Sequence, residues 1–212
     1  MQRRFELLVE NQKLVGDIYL PDGFEKPYPV MICSHGRETN RKRGKWPKIA
    51  ERFPQEGIAI INFDHRGAPE GESDGKFEDT TLTGRVEDLE AVIKFSKTIP
   101  EIDSNQILLL GSSLGGKTAL SVAASDENIK GLILLATPGY NMEEVCQKIK
   151  CPTLIVHGYL DELIPRHQAH LLKKYISNSE LIEIEGADHA FTNPEKLNEV
   201  FNYISDWFKK YW

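Results

Sequence analysis

A serine in a glycine-rich turn is the residue of this chain that points most directly to chemistry. Ser113 is the central residue of a GxSxG pattern, and the apolar run Ile107–Leu110 precedes it. The residues that follow, through Ala124, have a composition that suits a helix. A serine hydroxyl is a weak nucleophile at neutral pH, so hydrolysis requires it on a tight strand-to-helix turn, beside a base and hydrogen-bond donors. The pattern predicts a nucleophilic serine at position 113, and a plain strand-to-helix turn is the alternative.

Two further polar residues follow short apolar runs later in the chain. Asp161 lies just after the run Thr153–His157, and His189 lies just after the run Leu181–Ile184. Both runs are predicted strands, and in open parallel sheets functional groups collect at the carboxyl ends of the strands. Ser113, Asp161 and His189 are therefore expected at one edge of a sheet, in the order nucleophile, acid, base.

The elements that must position these residues are alternating strands and helices. Arg4–Val9 and Lys13–Leu20 are predicted to form an antiparallel hairpin. From residue 30 onward, buried strands alternate with helices, which is the pattern of a parallel sheet with helices on both faces. The predicted strands after the hairpin are Val30–Ser34, Ile58–Phe63, Gln106–Gly111, Ile129–Ala136, Thr153–His157 and Leu181–Ile184. The predicted helices are Pro47–Gln55, Leu82–Lys97, Leu114–Ala124, Arg166–Tyr175 and Pro194–Lys210.

These motifs give the chain a specific resemblance to a known superfamily. HGxxD ends at Asp161, GADH ends at His189, and both accompany the GxSxG pattern around Ser113. With His35-Gly36 after an early strand, the chain resembles the α/β-hydrolase superfamily over nearly its whole length. The resemblance implies an α/β-hydrolase fold with a mostly parallel central sheet, helices on both faces and an N-terminal antiparallel hairpin.

The resemblance also implies a role for each site residue. His189 would accept the proton of Ser113 and return it to the leaving group, while Asp161 would hold the imidazole in the right tautomer. The oxyanion hole would be formed by the backbone N–H groups of Leu114, directly after the nucleophile, and of Arg37. No cofactor and no metal is implied, because neither HExxH nor paired Cys/His spacing occurs.

Several neighbouring residues are alternatives to these assignments. Glu162 adjoins Asp161, but the HGxxD spacing selects the aspartate. His157 is expected to be structural at the end of its strand, and Asp188 is expected to point away from the site. His167 and His170 fall in a predicted helix and are expected to be solvated.

The segment Thr137–Pro152 bears on substrate access. Many lipases, epoxide hydrolases and feruloyl esterases insert a cap at this point, whereas here there is room for one short helix, around Met142–Ile149. We therefore expect no cap domain, an open site and small or soluble substrates.

The leading functional hypothesis is a serine esterase of the carboxylesterase type that acts on a small-molecule ester. A thioesterase, or a peptidase or acylaminoacyl hydrolase, would use the same residues, and a noncatalytic binding protein on the same scaffold is a further alternative. A serine nucleophile argues against haloalkane dehalogenases and epoxide hydrolases, which use aspartate. It also departs from dienelactone hydrolases, whose nucleophile is usually cysteine.

Composition narrows the class of protein. The 212 residues carry a net charge of −6, which argues against a nucleic-acid partner, and no linker or repeat divides them, so a single domain over residues 1–212 is expected. No signal peptide or bilayer-spanning run is evident, so no membrane insertion is expected. The three cysteines, Cys33, Cys146 and Cys151, are expected to be free thiols, which suits a cytoplasmic location. The sequence leaves the oligomeric state open.

Two oppositely charged segments follow the early strands. Six cations lie at Arg37, Arg41, Lys42, Arg43, Lys45 and Lys48, and five acids lie at Glu70, Glu72, Asp74, Glu78 and Asp79. One interpretation is a basic rim that attracts an anionic substrate. The other is that the two segments neutralise one another or are simply solvated. The acidic loop is also a candidate wall or flap of the substrate pocket.

Overall fold

An eight-stranded sheet runs through the middle of the molecule. The structure, a computed structural model, describes all residues, 1–212. Its strands, β1 to β8, are Gln2–Val9, Gln12–Tyr19, Tyr28–Ser34, Ala59–Phe63, Ile102–Ser112, Ile129–Leu135, Thr153–Gly158 and Ser179–Ile184. Their order across the sheet is β1-β2-β4-β3-β5-β6-β7-β8. β2 pairs antiparallel with both β1 and β4, and all other neighbouring strands are parallel. The predicted mostly parallel sheet with its N-terminal hairpin is confirmed.

The hairpin turn explains why the first two strands pair tightly. Val9 is paired with Gln12, so only Glu10 and Asn11 form the loop, and both have positive φ, at 50° and 64°. A two-residue turn of this kind matches the right-handed twist of the flanking strands, and asparagine tolerates the left-handed conformation well.

Helices cover both faces of the sheet, as predicted. The helices, α1 to α6, are Trp46–Arg52, Leu82–Ser96, Leu114–Ala123, Glu143–Cys146, His167–Tyr175 and Pro194–Tyr211. Side chains alternate along the strands, so Val30 and Ile32 of β3 belong to a core cluster that includes residues of α2, α3, α4 and α5, whereas Met31 and Cys33 belong to one that includes residues of α1 and α6. None of the helices is both long and apolar enough to cross a bilayer.

Element boundaries differ from the sequence prediction at a few places. The first helix ends at Arg52 and continues as a 3₁₀ turn over Phe53–Glu56, because Pro54 lacks an N–H and its ring opposes a continuing α-helix. β5 begins at Ile102, four residues earlier than predicted, where Ile102 pairs with Tyr28. A further 3₁₀ turn over Phe77–Asp79 was not predicted.

All three cysteines are free and buried. Burial raises the pKa of Cys146 to about 12 and that of Cys151 to about 11, and it raises the pKa of Cys33 further. Because a thiol reacts as the thiolate, these side chains behave as small apolar groups at neutral pH.

Candidate active site

Ser113 lies at the sharp turn between β5 and α3. Its backbone has φ 56° and ψ −122°, a conformation that non-glycine residues rarely adopt. The Ser113 N–H donates to the carbonyl of Leu135 on the neighbouring strand β6, at 2.9 Å, which fixes the turn. The side chain is half-buried and opens into a surface cavity. The surrounding structure therefore holds this residue in a strained conformation, as is common at functional sites.

The two glycines of the GxSxG pattern are required by close backbone approaches. A Cβ atom at Gly111 would collide with the backbone of Gly115 and Gly116 in the first turn of α3. A Cβ atom at Gly115 would collide with the backbone carbonyls of Ser34 and His35 at the end of β3. The pattern thus records how closely α3 approaches both strands.

Asp161 and His189 are brought together by the loops after β7 and β8. His189 Nδ1 lies 2.8 Å from Asp161 Oδ2. The other carboxylate oxygen, Oδ1, accepts the N–H groups of Leu163 at 3.0 Å and Ile164 at 2.8 Å. An ionised carboxylate only accepts hydrogen bonds, so Nδ1 carries the proton and the lone pair of His189 lies on Nε2.

His157, at the end of β7, contacts the loop that carries Asp161. Its Nε2 lies 2.8 Å from the Ile164 carbonyl, which can only accept, so Nε2 carries a proton. The same nitrogen is 3.4 Å from Asp161 Oδ2. Burial lowers the pKa of His157, so the ring is neutral at neutral pH. His157 therefore holds the loop that carries Asp161, which agrees with the structural role expected of it.

The structure separates the other candidate groups from this pair. Glu162 is exposed, whereas the side chain of Asp161 is fully buried against His189. Asp188 accepts hydrogen bonds from the N–H and the hydroxyl of Thr192. Partial burial opposes its ionisation, but these hydrogen bonds outweigh the effect, and the pKa of Asp188 lies below its usual range. His167 and His170 are exposed on α5.

The loop after β3 carries the other expected backbone donor. Neither Arg37 N–H nor Leu114 N–H donates a hydrogen bond within the protein. His35 Nδ1 lies 2.7 Å from the Gly36 carbonyl, and His35 Nε2 accepts the His65 N–H at 3.0 Å. Since Nε2 accepts, Nδ1 carries the proton and donates to Gly36 O. The C=O and N–H of a trans peptide point in opposite directions, so this bond turns the Arg37 N–H away from His35.

A cavity of about 450 Å³ joins these groups. Ser113, His189, Arg37 and Ile164 line it together with Lys45. No hydrogen bond joins the Ser113 hydroxyl to His189, although both face the same space; such bonds often tighten only when a substrate is bound. No group of three or more His, Cys, Asp or Glu side chains is arranged to hold a metal ion.

The segment between β6 and β7 leaves this cavity open. It contains only the four-residue helix α4, Glu143–Cys146, within the range predicted for a single short helix. The loop after β4 does not line the cavity either, so the expectation that it forms a wall or flap was wrong. Its residue Ser73 instead donates to the Asp64 carbonyl and accepts the Val15 N–H, which ties the loop to the edge of β2.

Ion pairs connect the basic and acidic segments. Arg41 contacts Asp17, Asp64 and Glu72, and it is almost completely buried. Lys42 also pairs with Glu72, while Arg43 pairs with Glu70. Hydrogen bonds from cations, Lys42 first among them, lower the pKa of Glu72 to about 2. For these residues, mutual neutralisation is the interpretation that the structure favours.

A buried group that the sequence reasoning missed lies beneath the loop after β3. Ser34 Oγ is 2.8 Å from His65 Nε2, and His65 Nδ1 is 3.3 Å from Asp88 Oδ2. We call Ser34, His65 and Asp88 the buried Ser-His-Asp cluster. Its signal in the sequence was an aspartate on the apolar face of α2, four residues before Val92.

The strand order, the turn at Ser113 and the positions of Asp161 and His189 define an α/β-hydrolase fold. Est1E from Butyrivibrio proteoclasticus, in its structure with ferulic acid bound, superposes with a TM-score of 0.90 over 98% of both chains at 23% identity. The model of the Dienelactone hydrolase family matches residues 70–211, and this chain belongs to that family. The serine at position 113, which the sequence analysis took as a departure from dienelactone hydrolases, therefore does not place the chain outside this family.

Relatives of known sequence extend the comparison. Quorum-quenching protein AidA of Acinetobacter baumannii is 32% identical over 106 residues, which are 50% of this chain and 34% of that protein. Cutinase 2 of Thermobifida cellulosilytica is 26% identical over 203 residues, which are 92% of this chain and 72% of that protein. The matching part of this chain spans little more than a third of the length of the first curated relatives.

Proposed function

We propose that this protein is a serine hydrolase that cleaves small carboxylic esters. The observation that carries the proposal is the convergence of three groups on one open cavity. Ser113 sits on a strained turn, the hydrogen-bonded pair of His189 and Asp161 faces the same space, and two backbone N–H groups nearby have no partner in the protein. The family and the similarity to a cutinase support ester hydrolysis.

In the proposed first half-reaction, Ser113 Oγ attacks the ester carbonyl carbon while its proton passes to His189 Nε2. The carbonyl π electrons move to oxygen, and the N–H groups of Arg37 and Leu114 stabilise the resulting oxyanion. When the intermediate collapses, the C–O bond to the alcohol breaks and the alcohol oxygen takes the proton from His189. Asp161 stabilises the imidazolium throughout, and an acyl group remains on Ser113.

In the second half-reaction, water attacks the acyl carbonyl and gives a proton to His189. Collapse of this intermediate returns the proton to Ser113 Oγ and releases the carboxylic acid. No step requires a cofactor. The cavity volume of about 450 Å³ lies in the range of small-molecule pockets, and the short connection between β6 and β7 provides no apolar cover for a long acyl chain.

The test is hydrolysis of p-nitrophenyl esters from acetate to laurate by the wild-type protein and by Ser113→Ala. We expect activity that is highest at short chain lengths and is lost in the variant. Fluorophosphonate labelling at Ser113 without ester hydrolysis would instead favour the thioesterase or peptidase alternatives. An unlabelled and inactive wild-type protein would contradict the proposal and favour a binding protein.

A further inference from the structure

Lys45 is the one cation of the basic segment that is both buried and without an acidic partner. It is 8% exposed and lines the same cavity as Ser113 and His189. Its ammonium nitrogen lies 3.4 Å from the Ala190 carbonyl, and no carboxylate oxygen lies within 4.0 Å of it. The rings of Trp46 and Phe191 also lie near this nitrogen, and the centroid of each ring is 5.6 Å from it.

The other cations of the segment show that this situation is specific to Lys45. Arg41, Lys42 and Arg43 are each paired with carboxylates of the acidic segment. Arg37 is exposed and lies over the ring of Phe77, at 5.1 Å. Lys48, the last of the six, is exposed on α1. Neutralisation by the acidic loop therefore does not extend to Lys45.

The buried ammonium group of Lys45 has hydrogen-bond donors that the protein leaves without an acceptor. It carries three N–H donors, and the protein supplies one long contact to a carbonyl. Burial disfavours its charge and lowers its pKa to about 8, while Asp188 and Asp161 act in the opposite direction from a distance. The group therefore remains mostly protonated at neutral pH, although its desolvation is not compensated by a counter-charge.

We propose that Lys45 binds a carboxylate group of the ester substrate, so that the physiological substrate is an anionic ester. This inference rests on the proposed function and adds the substrate class. The carboxylate would complete the ion pair that the protein lacks, in a partly desolvated site where a charge-assisted hydrogen bond is strong. Because Lys45 contacts Ala190, directly after His189, the bound carboxylate would lie close to the reacting ester.

The carboxylate could belong to either part of the ester, so the test uses two matched pairs of substrates. In the first pair, 4-acetoxybenzoate and its methyl ester, the charge lies in the alcohol part. In the second pair, p-nitrophenyl hydrogen glutarate and p-nitrophenyl pentanoate, the charge lies in the acyl part. The wild-type protein should prefer the anionic member of at least one pair in kcat/KM by about tenfold or more.

Lys45→Met keeps the length of the side chain and removes its charge. We expect the ratio of kcat/KM between the anionic and the neutral ester to fall by about 10- to 100-fold in this variant. Lys48→Met is the matched control, because Lys48 is exposed in the same segment and lacks an ion pair. Its ratio should equal that of the wild-type protein. An anionic preference that survives in Lys45→Met, or is absent from the wild-type protein, overturns the inference.

A second measurement covers the case in which Lys45→Met does not fold. Benzoate and benzamide are compared as inhibitors of p-nitrophenyl acetate hydrolysis by the wild-type protein. Benzoate should bind at least about tenfold more tightly, and equal inhibition overturns the inference. Failure of the proposed function is distinguishable, because neither class of ester would then be hydrolysed, whether or not Ser113 takes the fluorophosphonate label.

Discussion

The molecule contains two arrangements of serine, histidine and aspartate, and they differ in almost everything except their residue types. In the buried Ser-His-Asp cluster, Ser34 is hydrogen-bonded to His65, which contacts Asp88, and all three are shut off from solvent. At the cavity, His189 contacts Asp161 while Ser113 is half-exposed on a strained turn. A hydrogen bond between serine and histidine therefore does not by itself identify the candidate nucleophile.

Three physical differences separate the two arrangements. Ser34 is the last residue of β3 and is completely buried, whereas Ser113 lies in a turn with positive φ and is partly exposed. A substrate can reach Ser113, which lines the surface cavity, but it cannot reach the buried Ser34. The surroundings of the buried cluster also oppose charge: burial and the nearby cations Arg85 and Arg66 hold the pKa of His65 well below its usual range, so it is a poor proton acceptor.

The two arrangements are connected through the loop after β3. The backbone N–H of His65 donates to His35, and His35 in turn donates to the Gly36 carbonyl. Arg85 adds a hydrogen bond to the His35 carbonyl. We infer that the buried cluster supports the loop that carries the proposed oxyanion donor.

The largest expected difference is between the two serines. Ser113→Ala should lower kcat for ester hydrolysis on the order of 10⁴-fold or more and abolish fluorophosphonate labelling. Ser34→Ala should keep the label at Ser113 and lower the free energy of unfolding by about 1 kcal/mol, because one buried hydrogen bond is lost. Urea unfolding and labelling on the same samples check both. A label that persists in Ser113→Ala would contradict the nucleophile assignment.

The two aspartates, Asp161 and Asp88, should differ in the way the two serines do: replacing the first should lower activity, and replacing the second should lower stability. Asp161→Asn should reduce kcat by about 10³- to 10⁴-fold, because the amide no longer fixes the tautomer of His189. Asp88→Asn should mainly reduce stability, by about 1 to 2 kcal/mol, because it weakens two hydrogen bonds that Arg66 donates to the carboxylate, while Arg66 keeps its ion pairs with Glu10 and Glu87. Glu162→Gln is the exposed control and should leave kcat unchanged. Equal losses of activity in Asp161→Asn and Glu162→Gln would argue against the assigned acid.

A smaller effect should follow from loosening the loop between the two arrangements. His35→Leu removes the donor to the Gly36 carbonyl, and we expect kcat to fall by about 10- to 100-fold with little change in KM. Asn supplies an N–H near the position of Nδ1, so His35→Asn should recover much of the loss. Inhibition by a trifluoromethyl ketone, which mimics the oxyanion, should weaken in proportion to kcat/KM. A rise in KM with kcat unchanged would contradict a positioning role.

The smallest expected effect is on the pH dependence of stability. Burial holds the pKa values of His35 and His65 well below 6.5 in the folded protein, so the unfolded chain takes up protons first as the pH falls. The free energy of unfolding should therefore decrease by about 2 kcal/mol between pH 7 and pH 5.5 from these two residues. His35→Asn should reduce this decrease by about half in urea titrations. A flat wild-type profile would contradict this expectation.

Much of the fold, and the positions of the candidate site residues, could be predicted from local sequence patterns. Runs such as Ile129–Leu135 are uniformly apolar because parallel strands are covered on both faces, so they are visible without a structure. Ser113 was located by glycines that close packing requires, and its neighbours by their place after strands. That Ser113, Asp161 and His189 act as a catalytic unit stays a prediction.

What the sequence could not provide depends on contacts between distant segments. The pairing of Arg41 with Asp17 and Asp64 joins residues 24 and 23 positions apart, and no local pattern encodes it. The burial of Lys45 is equally invisible, because it depends on contacts with Ala190, 145 positions further along the chain, and with the ring of Phe191. The extra length of β5 follows from its pairing with Tyr28, more than seventy residues before it.

The order of the strands has a consequence for folding. Arg37, Ser113, Asp161 and His189 follow four different strands, and the chain segments that separate them must all be closed before the cavity exists. Closing long loops is slow because conformational entropy is lost before the contacts form. During refolding from urea, helical circular dichroism should therefore return before fluorophosphonate labelling does. The rate at which the label returns would then measure completion of the sheet.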